Sequence, residues 1–93
     1  YIDDFGNIIS NISAQQLNEA KITTGCIVNV KIGERVLDLP VCLAYGDVKQ
    51  NDCLVLVGSN AFVEVSANQA SAAKIFDATV GDKFCLSALT SLD

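Results

Sequence analysis

Short apolar segments that alternate with polar residues, separated by polar turns, run along most of this chain. In residues 26–32, apolar side chains alternate with Asn29 and Lys31, which is the pattern of a half-buried strand. Residues 53–57 are apolar throughout and predict a strand that is covered on both faces. Because no strand–helix–strand alternation is visible, we predict antiparallel rather than parallel pairing.

Six or seven short strands and two short helices are predicted in total. The first helix begins after Ser13, which can form a capping box with Gln16, and ends near Ala20. The second helix spans residues 69–76, with Asn68 as its N-cap. We therefore predict a mainly β fold, a small antiparallel β-barrel that is closed or half-closed, since closure removes exposed strand edges. The strands are expected at residues 1–2, 8–12, 26–32, 36–39, 53–57, 61–67 and 84–89, before a frayed tail at 90–93.

Composition narrows the possible functions. The 93 residues suffice for a single small domain, and the start at Tyr1 suggests a piece of a longer protein. The net charge is −5 and the six Lys and Arg residues are scattered, which argues against a nucleic-acid partner. The apolar runs are too short to cross a bilayer, so no membrane partner is expected. A cytoplasmic location is the default expectation.

The four cysteines lie in or beside apolar runs and are expected to be buried, reduced thiols. Two disulfides in a secreted domain are the alternative. The chain contains no histidine, so neither a zinc site nor a serine–histidine pair can be built. We therefore predict no catalytic residue, no metal site and no cofactor within this chain, and a redox or metal module based on cysteine is a poor interpretation. The cysteines are Cys26, Cys42, Cys53 and Cys85.

Polar residues cluster at the predicted turns and strand ends. Each has a structural explanation by itself: Asp3 and Asn7 are common turn residues, and Glu64, expected to face outward from a strand, is expected to be solvated. Turn residues at one end of a barrel are also free to meet a ligand. The clusters are Asp3 with Asn7, Tyr45 with Asp47, Ser59 with Asn60, and Asn68.

Three segments, in order, resemble one enzyme family. Residues 2–12, Ile-Asp-Asp-Phe-Gly-Asn-Ile-Ile-Ser-Asn-Ile, are similar to the Ile-Asp-x-Phe-Gly-Asn-x-x-x-Asn-Ile segment of the S-adenosyl-L-methionine (SAM) hydroxide adenosyltransferases. This family includes adenosine-forming SAM hydrolases and is related to fluorinase and chlorinase. Residues 58–73 resemble its Asn-Ser-x-Gly-x-x-Glu-Ile-Ala-x-Asn-x-Gly-Ser-Ala run, and residues 80–82 match a Val-Gly-Asp turn. Ala61 replaces a family glycine, so a positive φ is expected at the neighbouring Asn60.

The resemblance implies that residues 1–93 are a single C-terminal β-barrel domain of a two-domain protein whose N-terminal catalytic domain is absent here. Asp3 would bind the methionine ammonium group of SAM, and Ser59 with the backbone near Asn60 would bind its carboxylate. Asn7 and Asn68, with backbone help around Gln69, would bind the polar edges of adenine. Tyr45 would stack on the adenine ring. SAM would lie between this domain and the N-terminal domain of a neighbouring subunit in a homotrimer.

The reaction implied is the conversion of SAM and water to adenosine and L-methionine. SAM is then the substrate, and the isolated chain is expected to be inactive because the water-activating residues belong to the N-terminal domain. Ile9 matches an aromatic residue of the halogenases, which favours a hydrolase. The alternative is a non-catalytic β-barrel that serves nucleoside binding or oligomerisation.

Overall fold

The computed structural model describes residues 1–88, which form six strands and two short α-helices. This confirms the predicted mainly β fold with two short helices. The predicted strand residue Leu89 and the tail at 90–93 lie outside the described residues. The elements are β1 (Ile8–Ser13), α1 (Ala14–Glu19), β2 (Ile27–Ile32), β3 (Arg35–Pro40), β4 (Cys53–Val57), β5 (Phe62–Ala67), α2 (Ala72–Phe76) and β6 (Phe84–Ala88), with a 3₁₀ turn at Tyr45–Asp47 between β3 and β4.

The strands form two antiparallel sheets of three strands, in the orders β1-β5-β4 and β3-β2-β6. Where β3 ends, Val41 forms an isolated parallel bridge with Val55 of β4, and the amide of Cys42 donates to the carbonyl of Val55 at 2.8 Å. Within residues 1–88 no pairing joins β1 to β6. The sheets are therefore linked on one side and open on the other, and the predicted barrel is not confirmed.

The core lies between the sheets and under α2. Val28 and Val30 of β2 alternate with more exposed neighbours, as the period of two predicts. In β4 and β5 nearly every residue is buried, because β5 is the central strand of its sheet and β4 packs beside the end of β3. Phe76 of α2 is 1% exposed and is the largest fully buried side chain. This burial makes β5 a rigid platform for the polar residues at its ends.

The two helices differ in how well the sequence predicts them. α1 forms the expected capping box: Ser13 Oγ accepts from the Gln16 amide at 3.1 Å, and Gln16 Oε1 accepts from the Ser13 amide at 2.8 Å. The prediction for α2 is wrong at its start, because Ser71 is the N-cap and the helix begins at Ala72. Asn68 lies in a turn instead. Neither helix, at six and five residues, is long enough to cross a bilayer.

All four cysteines are free. Cys26 and Cys53 are buried and Cys42 is half-buried, whereas Cys85 is exposed. The expectation of burial is therefore wrong for Cys85, because β6 is an edge strand with one face toward solvent. Burial, with a smaller contribution from Asp52, raises the pKa of the Cys53 thiol to about 11.

Candidate functional site

A tight turn at residues 3–7 forms the first part of the candidate site. Asp3 Oδ1 accepts from the amides of Phe5 and Asn7, both at 2.9 Å, and Asn7 Nδ2 donates to Asp3 Oδ2 at 3.0 Å. Burial by itself raises the pKa of the Asp3 carboxyl, but its hydrogen bonds with Asn7 and Phe5 outweigh burial and hold the pKa below its ordinary value. Asp3 is therefore a carboxylate at neutral pH, and Asn7 is held by it.

Gly6 brings this turn into contact with α2. Its φ is +82°, and a Cβ atom added there would overlap the side chain of Ser71, the N-cap of α2. The carbonyl of Gly6 also accepts from the amide of Ala73 at 2.9 Å. A glycine is thus required where the turn and the helix meet.

Four of the predicted site residues meet in one cleft of about 610 Å³, which we name the aromatic cleft. They come from three parts of the chain: the first turn, the 3₁₀ turn and the turn after β5. Their neighbours in the cleft are Phe5, which is 81% exposed, and two alanines. The lining consists of Phe5, Asn7, Tyr45, Ala67, Asn68, Gln69 and Ala70. This cleft offers two aromatic rings and two asparagine side-chain amides to a ligand.

Asn68 connects the turn after β5 to the loop that carries Tyr45. Its side-chain Nδ2 donates to the backbone carbonyl of Val48 at 2.9 Å. Its backbone amide donates to the carbonyl of Asp52 at 3.0 Å, and its backbone carbonyl accepts from the amide of Asn51 at 2.7 Å. Asn68, predicted to cap a helix, thus joins the turn after β5 to the loop at residues 48–52 by hydrogen bonds. The next residue, Gln69, has a φ of 58°, which turns the chain away from β5 before Ala70 bridges back to Ala67.

Glu64 is predicted to be solvated, and this prediction is wrong: its side chain is only 8% exposed. Its Oε2 accepts from the Tyr45 hydroxyl at 3.0 Å and from the Ser66 hydroxyl at 2.7 Å. Burial and the hydrogen bond to this carboxylate raise the pKa of the Tyr45 phenol above its ordinary value. Tyr45 therefore presents a ring to the aromatic cleft while its hydroxyl is held by the central strand.

A larger cavity of about 860 Å³ lies between the two sheets, and its lining includes residues of both β1 and β6, the strands that do not pair. We name it the seam cavity. Apolar side chains such as Ile8, Ile32 and Phe84 line it, together with the predicted site residues Asp3 and Asn60. Asp3 thus lines the seam cavity while its partner Asn7 lines the aromatic cleft.

The β4–β5 turn departs from its predicted geometry. The positive φ expected at Asn60 lies instead at Ala61, where φ is 66°. Ser59 is exposed on this turn and lines neither the aromatic cleft nor the seam cavity. Of the seven predicted residues, then, the structure groups four around one cleft and two at the adjacent cavity, and it leaves Ser59 apart.

Sequence reasoning missed two residues of this region, Phe5 and Glu64. The exposure of Phe5 could have been suspected from its place between Asp4 and Gly6, because turns run over the surface of a protein. Nothing in the alternation of β5 could have shown that Glu64 is buried. Among residues 1–88, no three His, Cys, Asp or Glu side chains gather closely enough to hold a metal ion.

The fold and the cleft define a small, mainly β domain that presents aromatic rings and amides in one surface depression. Residues 1–85 match the family model of the SAM hydroxide adenosyltransferase C-terminal domain. The chain belongs to this family, as the motifs at residues 2–12 and 58–73 predict.

Two solved structures have a similar fold. An uncharacterised conserved protein from Thermotoga maritima superposes with a TM-score of 0.86 at 26% identity, covering 96% of this chain and 34% of that one. A conserved hypothetical protein from Thermus thermophilus gives a TM-score of 0.68 at 24% identity, covering 95% of this chain and 32% of that one. This chain thus spans about a third of the length of the structures that it matches.

Proposed function

We propose that this chain supplies one wall of a SAM-binding site in an enzyme that converts SAM and water to adenosine and L-methionine. The observation that supports this most is the grouping of Asn7, Tyr45, Asn68 and Gln69 around one cleft, in a chain of the SAM hydroxide adenosyltransferase family. The family resemblance singles out these residues, although they are separated by as many as 62 positions, from Asn7 to Gln69.

The aromatic cleft is the proposed site of adenine. An aromatic ring favours a planar purine through stacking, and the rings of Tyr45 and Phe5 are both available for it. The side-chain amide nitrogens of Asn7 and Asn68 already donate within the protein. Their Oδ1 atoms remain as acceptors, which suits the exocyclic amino group of adenine.

The seam cavity is the proposed site of the methionine part. Asp3, a carboxylate at neutral pH, would bind the ammonium group, and the backbone near Asn60 would bind the carboxylate. Ser59, to which the family resemblance also assigns the carboxylate, lies on the same turn as Asn60 but does not line this cavity. Since Asp3 and Asn7 are hydrogen-bonded to each other, both ends of one ligand can be contacted from the same turn. In this proposal the two sheets form a half-closed barrel whose open side, between β1 and β6, holds the methionine part of the ligand.

The chemistry itself is assigned to another part of the protein. Water or hydroxide displaces the sulfonium group at the ribose C5′ carbon, and the sulfur leaves as the neutral thioether of methionine. Because a sulfonium is already a good leaving group, alignment and exclusion of bulk water can account for much of the rate. The proposed partner is the N-terminal domain of a neighbouring subunit in a homotrimer, so the isolated 93-residue chain should not turn over SAM.

Turnover by the full-length protein tests this proposal. The full-length protein, incubated with SAM alone, should release adenosine and L-methionine in equal amounts, and the 93-residue chain at the same concentration should release neither. A well-folded full-length protein that leaves SAM intact would refute the enzymatic function. If that protein still bound adenosine, the alternative of a non-catalytic nucleoside-binding domain would replace it.

A further inference from the structure

Glu64 is a buried carboxylate to which the proposed function assigns no role. It lies in the middle of β5, the central strand of its sheet, and only 8% of it is exposed. A buried carboxylate is costly unless its oxygens are hydrogen-bonded. Both bonds described for it come from hydroxyl groups, those of Tyr45 and Ser66, and both reach the same oxygen, Oε2. Among the described residues no cationic side chain pairs with it.

Tyr45, by contrast, belongs to an exposed part of the chain. It begins the 3₁₀ turn Tyr45–Asp47, and 45% of its side chain is exposed. The backbone of this turn is held locally, since Asp47 Oδ2 accepts from the amides of Leu43 and Ala44 at 3.2 Å each. These local bonds do not involve the Tyr45 side chain. The hydrogen bond from the Tyr45 hydroxyl to Glu64 is the connection between the ring and the rigid core.

We propose that Glu64 is a positioning residue that fixes the ring of Tyr45 at the aromatic cleft and thereby sets the affinity for a planar purine. This inference rests on the proposed function, since it assigns a role to Tyr45 in binding adenine. Glu64 does not touch the ligand in this account. Holding the ring in one orientation before binding reduces the ordering that the ligand would otherwise have to bring about.

A side chain with acceptor oxygens suits this role. The Glu64 carboxylate has no donor of its own when ionised, so it accepts from Tyr45 and Ser66 together without a competing orientation. Gly58 lies against the other oxygen, where an added Cβ atom would be only 3.0 Å from Glu64 Oε1. A glycine at this turn therefore leaves the room that the Glu64 side chain occupies.

Steady-state kinetics of the full-length protein test the proposal. Y45F and E64A should each raise the KM for SAM by about tenfold, the effect of one lost hydrogen bond that orders the site, and should change kcat by less than about threefold. E64Q, whose amide oxygen can still accept from Tyr45, should stay within about threefold of the wild type in KM. The double variant Y45F/E64A should be no worse than E64A, because both changes break the same bond. E34Q, on the exposed β2–β3 turn, is the matched control and should match the wild type.

A second measurement does not need turnover. The 93-residue chain contains only two tyrosines, Tyr1 and Tyr45, so ultraviolet titration resolves the phenols, and Y45F identifies the signal of Tyr45. In the wild type Tyr45 should titrate above its ordinary range, and in E64Q it should titrate lower, because the negative charge is gone. If circular dichroism shows that E64A does not fold, the KM of Y45F and the Tyr45 titration of E64Q test the role of Glu64 without it.

The outcomes separate this inference from the proposed function. An unchanged KM in Y45F, or an unchanged Tyr45 titration in E64Q, would overturn the role of Glu64 while turnover of SAM by the wild type would keep the proposed function. No turnover by the wild type would refute the proposed function. A raised KM in E64A that E64Q does not rescue would also overturn the positioning role, since the charge and not the hydrogen bond would then be what matters.

Discussion

Asn7 and Asp3 are joined by three hydrogen bonds. The Asn7 backbone amide donates to Asp3 Oδ1 at 2.9 Å, Asn7 Nδ2 donates to Asp3 Oδ2 at 3.0 Å, and the Asp3 backbone amide donates to the Asn7 carbonyl at 3.0 Å. The pair closes the first turn and connects the two depressions of the domain, since Asp3 lines the seam cavity and Asn7 the aromatic cleft. Both residues are thus held in place before any ligand arrives. The proposed binding roles depend on this arrangement.

The Asp3–Asn7 pair predicts a specific dependence of stability on pH. The pKa of Asp3 is lowered in the folded state, so its ionised form contributes stability that is fully present above the ordinary value of 3.8 and is lost as the pH falls through the lower, folded value. Asp3 uses both carboxylate oxygens to accept from Asn7, and D3N keeps only one of these oxygens as an acceptor. The loss of one hydrogen bond should lower the free energy of unfolding by about 1 kcal/mol at pH 7.

Urea denaturation at about pH 7 and about pH 3 measures this effect. The difference between wild type and D3N should shrink at the lower pH, because the wild-type carboxylate is then increasingly protonated. D4N, at the adjacent exposed position, is the control and should follow the wild type at both pH values. A D3N deficit that is equally large at both pH values would contradict the assignment.

Three glycine-to-alanine variants should separate backbone strain from steric overlap. G25A adds a Cβ atom at a φ of +97° where no other atom lies close, and it should lower the free energy of unfolding by about 1–2 kcal/mol. In G6A the added Cβ atom lies at a φ of +82° and also overlaps the Ser71 side chain. G6A should therefore lower the free energy of unfolding more than G25A does, by about 1 kcal/mol or more. G46A has neither a positive φ nor a close neighbour and should be neutral or slightly stabilising. Thermal unfolding gives the order, and equal losses in G6A and G25A would mean that the turn does not pack against α2 as described.

Ala61 offers the reverse test, because it is an alanine at a φ of 66°. A61G should relieve this strain and raise the free energy of unfolding by about 0.5–1 kcal/mol, after allowing for the greater freedom of glycine in the unfolded chain. Ala44, at φ −147° on an exposed loop, is the matched control, and A44G should be destabilising by a few tenths to about 1 kcal/mol. If A61G lost stability as A44G does, Ala61 would not hold the positive φ.

The four free thiols should react in an order set by their burial. Cys85 is exposed and should be alkylated first, Cys42 is half-buried with a pKa raised by burial and by Asp47, and Cys26 and Cys53 are buried. The pKa of about 11 for Cys53 further lowers its thiolate fraction. Mass spectrometry of the native protein at about pH 8 follows each site. Prompt labelling of Cys53, or a disulfide in the protein as purified, would contradict the structure.

Much of the fold could be predicted because local pattern and local structure agree in it. The alternation in β2 and the capping box of α1 each involve only neighbouring residues, and both are confirmed. The predictions failed where a distant contact decided the outcome. Asn68 is predicted to cap α2, but its side chain bonds to Val48, a residue 20 positions away. The burial of Glu64 likewise depends on β5 being a central strand, which alternation alone does not reveal.

The candidate site shows the same limit. Propensity explains Asp3 and Asn7 as a turn, and this is what their hydrogen bonds form. Only the family resemblance connects them with Tyr45 and Asn68, because no short-range pattern relates residues so far apart. The tyrosine's partner, Glu64, was missed for the same reason: its bond spans 19 positions.

A structure of the full-length protein with SAM or adenosine bound tests the central claim most directly. The account predicts that the adenine ring lies in the aromatic cleft, stacked on Tyr45 and within hydrogen-bond distance of Asn7 or Asn68, with the methionine part toward Asp3. A ligand bound elsewhere on the protein, with the aromatic cleft empty, would contradict it.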